Sequence, residues 1–430
     1  MATDNEKSGV SRRGLFGFAS KAGAVGGLVA SFRPFGGVAW AAQTPKTYKK
    51  WVVNTPVVDK KISEANFKLT EPAMPQIKEG ECLTENILFN IHSATRDRMS
   101  TTGITKPGET DNTNYTLARV LQSRDRTYKE GDIIACLGGW QDHQVQSAEY
   151  GPQPGYDLPS ELVKQLNGTN NPWGYVFRPV MLKMHSSDVL MDIFGTSGTT
   201  AYFGIREGGP IMPGDWCAVA GTTGSVGAMV AQILSYKGAH VIGFGGGADR
   251  AKWVTDNLGI PALDYRAADF EQQLQKAFPK GIHFFSDGVS GPGFSEIITK
   301  YMNPDSRYFN YGSAGAIYSS ELPKPGAAKP MATKPTPQGT RPKRSMGMTE
   351  LTYNMCAEKN IKIDTWQAQE HYQDRIEAED YMSKLVFIKR LKPINTVVDG
   401  VENIPKAVVM QYVDNPYGKL QVRMSQRPLI

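Results

Sequence analysis

A chain of 430 residues has room for two or three domains, and its 40% apolar and 21% charged residues fit a globular protein with an ample core. Of the formal charge of +6, residues 1–41 hold +3 and residues 321–345 hold +5, so the remainder is about −2, which excludes a broad nucleic-acid-binding surface. Cys82, Cys136, Cys217 and Cys356 are too far apart for a zinc site, and no His falls in a metal or G-x-S-x-G motif, so metal and hydrolytic chemistry find no support.

Taken in order, Arg12-Arg13 precede a weakly apolar, Gly/Ala-rich run from Phe18 to Ala30. Ala39-Trp40-Ala41 then offers small residues at the spacing a signal peptidase reads. Residues 1–41 therefore read as a twin-arginine export signal, implying a periplasmic location, with a basic tail on a cytoplasmic protein as the alternative. Glycines and Arg33 interrupt the apolar run, so no stable membrane span is expected.

Residues 42–190 carry short alternating stretches: Trp51-Val53, Asn86-Ile91, Thr116-Val120 and Asp132-Cys136. Turn residues such as Lys129-Glu130-Gly131-Asp132 punctuate them, predicting a mostly antiparallel β domain. Gly139-Asp142 closes its core strands, and Ser93-Met99 follows one strand as a loop. His92 and His185 fall near such loops, where a surface or internally satisfied histidine is the ordinary reading. Residues 150–173 are rich in Gly, Pro and Asn.

Residues 191–365 read as a doubly wound α/β domain. Gly195-Thr200 reads G-x-x-G-x-T, a turn pattern ending at Thr200. After a short link, Trp216-Ala220 is a buried strand, and Gly221, Thr223, Gly224, Ser225, Val226 and Gly227 make a glycine turn. An apolar helix from Val226 to Leu234 and a second strand, His240-Phe244, complete the unit. Glycines there permit a sharp turn and close approach of a pyrophosphate, and the helix N-terminus supplies free N–H donors. The second strand runs into Gly245-Gly246-Gly247 with no carboxylate at its tip, and Arg250 follows. This favours a 2′-phosphate, hence NADP(H), over the ribose hydroxyl of NAD; ordinary solvated charges at a helix start are the alternative. Ile282-Asp287 and Arg307-Tyr311 are further strands. Residues 321–345 hold six prolines and scattered lysines and read as an exposed loop. In 366–430, a helix over Asp374-Ile388 is followed by a strand, helix and strand between Val397 and Val422.

These segments in this order resemble the medium-chain dehydrogenase/reductase superfamily, in its zinc-independent branch of prostaglandin and alkenal double-bond reductases. Those carrying the resemblance best are the glycine turn, Gly243-Val254, Leu263-Arg266, Phe285-Gly291, Gly400-Val408 and Asp414-Val422. The resemblance covers about residues 48–430. It implies a GroES-like β-barrel over 42–190, a Rossmann domain over 191–365, and a segment, 366–430, that completes the nucleotide domain and packs on the barrel. It implies that Arg250 and Tyr265 hold the 2′-phosphate, and that Thr200 and Asn415 lie beside the nicotinamide. Gly246 and Gly312 fall in cofactor-binding loops.

Two positions depart from the family. Gly288 replaces an Asn that bonds the cofactor. The family's proton-donor Tyr aligns with Ile317, leaving Tyr318, one place later, as either donor or plain loop aromatic. The implied activity is NADPH-dependent hydride transfer to an activated C=C of an enone or alkenal, or to a quinone. A zinc-free alcohol or ketone oxidoreductase, and a nucleotide-binding protein without turnover, are the alternatives. Homodimers are common in the superfamily.

Overall fold

The computed structural model describes residues 45–148, 174–291, 293–314, 347–365 and 368–430. The expected signal over 1–41, the stretch 150–173, Ile317, Tyr318 and the loop 321–345 lie outside the described residues.

The first half is β-sheet. β1 (Lys50–Val53) and β2 (Phe67–Thr70) pair with each other. β3 (Cys82–Asn90), α1 (Thr95–Arg98), β4 (Asn114–Ser123), β5 (Ile133–Gly138), β6 (His143–Gln146) and β7 (Tyr175–Val176) follow. β3, β4, β5 and β7 form an antiparallel, barrel-like sheet, with β6 on β3. The predicted turn before β5 is made as its residues suggest. Gly131 has a φ of 88°, and Asp132 Oδ2 accepts the Lys129 N–H at 2.7 Å. Trp140 is buried edge-to-face on Phe67, at 5.0 Å between ring centres. The predicted loop Ser93-Met99 contains the single helical turn α1.

Three helices lead out of the barrel: α2 (Pro179–Met184), α3 (Ser187–Ile193) and α4 (Thr196–Glu207). The expectation of a turn at Gly195-Thr200 is corrected here, because Gly195 caps α4 and Thr196 to Thr200 form its first turn. Its glycines serve packing. A Cβ on Gly204 would lie 2.0 Å from the Phe309 ring.

The nucleotide domain then runs β8 (Trp216–Val219), α5 (Ser225–Tyr236), β9 (His240–Gly245), α6 (Ala248–Leu258) and β10 (Ala262–Asp264). It continues with α7 (Phe270–Ala277), β11 (Ile282–Asp287), α8 (Phe294–Lys300), β12 (Met302–Asn310), α9 (Glu350–Glu358) and β13 (Lys362–Asp364). All pairs are parallel and the order is β10-β9-β8-β11-β12-β13, the two-halved order of dinucleotide-binding sheets. Strand and helix are locally specified. Cys217, Ala218 and Val219 are wholly buried, and Met229, Val230, Ile233 and Leu234 bury one face of α5 beneath the sheet. Each such large side chain contributes roughly 1.5–3 kcal/mol.

The last segment comprises α10 (Arg375–Phe387), β14 (Asn395–Asp399), α11 (Ile404–Val413) and β15 (Lys419–Arg423). It divides between the two halves. α10 packs its Ala378, Met382 and Leu385 into the core shared with the nucleotide domain. β15 instead pairs antiparallel with β3, and β14 pairs with β15, so the strands extend the barrel sheet rather than the nucleotide sheet. The nucleotide sheet ends at β13, and β15 covers the edge that β3 leaves.

Candidate active site

The glycine turn between β8 and α5 sits at the switch point where strand order reverses. Gly221 has a φ of 64°, in the left-handed region that favours glycine. A Cβ on Gly227 would stand 2.3 Å from the Gly221 oxygen, so α5 can begin this close to the turn only with glycine there. The residue capping α5 is Gly224, which offers no side chain. The N–H groups of Ser225, Val226 and Gly227 therefore point out of the helix start without intrahelical acceptors. This is an anion cradle, and it fits a dinucleotide pyrophosphate.

Ser225 contributes its backbone alone, since its hydroxyl donates to Asp192 Oδ1 at 2.5 Å. Asp192, on α3, is buried, and burial pushes its carboxyl up to about 7 against the opposing pull of Ser225 and Lys419. Lys419, at the head of β15, is held below the usual ammonium range by the same desolvation. Burial outweighs the mutual attraction for both, and they make no direct ion pair.

The C-terminal segment touches the turn directly. Gly418 donates its N–H to Thr223 O at 2.8 Å and bridges to Gly224. Arg250 donates from Nη1 to Thr223 Oγ1 at 3.1 Å and from Nη2 to the Asn415 carbonyl. Its guanidinium also lies over the Tyr417 ring, 4.9 Å from the centre, and Tyr417 stacks on Trp253 at 4.4 Å. Arg250, Thr223 and Asn415, three of the predicted residues, thus meet at one point. At the tip of β9, Gly246 and Tyr265 meet, a Cβ on Gly246 lying 2.4 Å from the Tyr265 hydroxyl. Asp264, at the end of β10, accepts the Gly247 N–H at 2.8 Å and so holds the glycine loop after β9.

Gly288 and Gly312 follow β11 and β12 and lie against each other, Ala314 donating to Gly288 O at 3.0 Å. The departure at Gly288 has a steric cause, because a Cβ there would fall 2.4 Å from the Tyr311 ring. Tyr311 donates to Ala220 O at 3.3 Å beside the turn, and burial keeps its phenol protonated. Thr200 is less connected. Its hydroxyl donates to Thr196 O within its own helix, at 2.7 Å.

The two histidines part company. His185 is satisfied, with Nε2 3.0 Å from Ser383 Oγ and its ring against Phe194. His92 accepts the Ala94 N–H on Nδ1 at 3.0 Å, and its Nε2 has no partner among the described residues. Sequence reasoning passed over Asp192, Lys419 and Tyr311. None stands in a motif, and their neighbours come from distant segments. Among the described residues, no three His, Cys, Asp or Glu side chains are grouped to hold a metal.

A parallel sheet of this order, a phosphate cradle at its switch point and a barrel-like sheet stitched to that cradle define a two-domain dinucleotide-dependent dehydrogenase/reductase. A family profile described as the N-terminal domain of oxidoreductase matches residues 49–151. An NADPH-dependent curcumin reductase of Escherichia coli (strain K12) is 27% identical over 389 residues, covering 89% of this chain and 99% of its own. Prostaglandin reductase 1 of Mus musculus is 24% identical over 364 residues, 84% of this chain and 94% of its own. Among solved structures, CurA of Vibrio vulnificus in complex with NADPH shares the fold with a TM-score of 0.67 at 24% identity, over 88% of this chain and 100% of that one. In sequence and fold the chain resembles the zinc-independent branch of the medium-chain dehydrogenase/reductase superfamily, with the prostaglandin and alkenal reductases.

Proposed function

We propose that this protein reduces the activated C=C bond of α,β-unsaturated ketones or aldehydes, with NADPH as hydride donor. It is an NADP-dependent oxidoreductase, and its relatives include reductases of curcumin and prostaglandins. The observation that carries the cofactor half of this reading is the anion cradle at Gly221–Gly227, with Arg250 bonded to its Thr223 and Tyr265 against Gly246 at the tip of the next strand. When bound, the dinucleotide supplies the hydride; the protein binds, orients and polarises.

In this reading the backbone N–H groups of Ser225, Val226 and Gly227 hold the pyrophosphate. Gly246, Arg250 and Tyr265 surround the 2′-phosphate, while Gly312, Asn415 and Thr200 flank the nicotinamide. Arg250 would exchange its bond to the Asn415 carbonyl for the phosphate, a charge-assisted and bidentate alternative. Tyr318 is the proposed donor of the proton to the α-carbon. Tyr318→Phe should then lower kcat by roughly 10²–10⁴-fold with NADPH affinity unchanged. Export by the twin-arginine signal over 1–41 belongs to the same proposal.

The test is a panel of enones, alkenals and quinones offered with NADPH, following loss of nicotinamide absorbance and identifying the product by mass. Saturated ketones or aldehydes are expected. Tight NADPH binding with no turnover across the panel would leave a nucleotide-binding protein instead.

A further inference from the structure

The ladder between β3 and β15 ends at the glycine turn. Its rungs pair Leu88 with Arg423, Phe89 with Val422 and Asn90 with Gln421. Ile91 then donates to Leu420 O at 3.0 Å, so the next rung sets His92 opposite Lys419. Opposed residues share a face, and faces alternate along the strand. His92 and Lys419 therefore point to the same side as Asn90 and Gln421. That side faces α3, where Asn90 donates to Met191 O at 2.8 Å and Gln421 to Asp188 O at 3.0 Å. Gly418, the neighbour of Lys419, is the residue bonded to Thr223.

The imidazole is held in one tautomer. Its Nδ1 accepts from Ala94, so the hydrogen of the neutral ring is on Nε2. Neutrality is enforced by burial and by the charges of Arg98 and Lys419. The loop behind it is pinned, with Arg96 N–H donating to the Tyr412 hydroxyl at 2.8 Å and that hydroxyl donating to Ser93 O at 2.9 Å. Both residues are part-buried. Neither His92 Nε2 nor Lys419 Nζ has an acceptor among the described residues. Two part-buried donors side by side on one face are costly unless something accepts from them.

We propose that His92 Nε2–H and Lys419 Nζ are the donor pair that grips the substrate carbonyl oxygen and stabilises the enolate formed there. This rests on the C=C reductase reading. As hydride bonds to the β-carbon, the C=C pair moves to join the α-carbon to the carbonyl carbon, and charge gathers on the oxygen between the two donors. The dinucleotide is left oxidised. His92 keeps its proton, since a neutral imidazole is a hydrogen-bond donor and a very weak acid. The α-carbon takes its proton from a separate donor, Tyr318 or water, as the carbonyl re-forms.

The experiment uses the full chain with His92→Phe, His92→Gln and Lys419→Met. A carbonyl-¹³C-labelled cyclic enone is bound with NADP⁺ in a dead-end complex, and its carbonyl stretch is read by infrared difference spectroscopy. The unmodified protein should lower the stretch. His92→Phe should abolish most of that shift and cut kcat by roughly 10²–10³-fold. His92→Gln, which retains an N–H at similar reach, should recover part of both, and NADPH affinity should hold in all. An unshifted band in the unmodified complex would overturn the pair, and so would a fall in NADPH affinity that accounts for the lost turnover. A shifted band without turnover would preserve the carbonyl site and remove the reductase reading instead.

Discussion

Arg250 shows how one side chain can serve the site in two ways. Without a phosphate beside it, its guanidinium ties Thr223 of the glycine turn to Asn415 of the C-terminal segment and covers Tyr417. Arg250→Ala should weaken NADPH binding by roughly 1.5–3 kcal/mol, the scale of a charge-assisted contact, while NADH binding changes little. Titration of both dinucleotides checks this, and equal affinities in the unmodified protein would sink it. Gly288 carries a second prediction. Gly288→Asn restores the family residue but drives a Cβ to 2.4 Å from the Tyr311 ring. It should cost about 1–3 kcal/mol by overpacking, and Tyr311→Ala in the same chain should recover most of it. Denaturant melts of the two singles and the double variant measure the coupling. Additive losses would show that the two positions are independent.

At the scale of elements, α3, α5 and β15 converge on Asp192. Its carboxylate takes the Ser225 hydroxyl at the start of α5 and feels Lys419 at the start of β15. The backbone N–H of Ile394 also bonds it, and Asp188 on the same helix opposes it. Burial is the largest influence and raises its pKa to about 7, above the unfolded carboxylate value. A group whose folded pKa is raised binds its proton more tightly in the native state. Its stabilising contribution is therefore complete below the unfolded pKa and is lost as pH rises through about 7. The loss is on the order of 1.4 kcal/mol for each pH unit in that window. Asp192→Asn should remove this dependence, so melting of the variant relative to the unmodified protein should improve from roughly pH 5 to roughly pH 8. A gap that stays constant over that range would mean Asp192 titrates normally.

The same three elements show what a sequence discloses. The unit β8, glycine turn, α5 and β9 is legible because its signals are adjacent: an apolar run, glycines, helical spacing, a second run. The helix that begins at Thr196 was obscured by its glycines: Gly204 reflects contact with Phe309, and Gly198 the close approach of the Ile193 backbone, rather than a turn. The pairing of His92 with Lys419 could not be read at all. It depends on β15, from the far end of the chain, finding the edge of β3, and register between distant strands leaves no local pattern.

For the whole molecule, the proposed export signal and the cysteines make linked predictions. The twin-arginine route carries folded proteins, so the chain would meet an oxidising compartment with its core already closed. Cys82, Cys136, Cys217 and Cys356 are all buried and unpaired. Burial pushes the thiols of Cys82, Cys217 and Cys356 up to about 12, and that of Cys136 up as well. A thiol that rarely ionises and rarely meets solvent is a poor nucleophile for exchange. Replacing Arg12 and Arg13 with Lys should hold the protein uncleaved in the cytoplasm, as fractionation and N-terminal sequencing would show. Protein recovered from the periplasm should begin after Ala41 and yield four thiols per chain to maleimide on denaturation, and almost none before it. Loss of thiols in the exported form alone would mean that the chain crosses unfolded and oxidises before its core closes. An exported form with an intact N-terminus would make residues 1–41 an anchor rather than a cleaved signal.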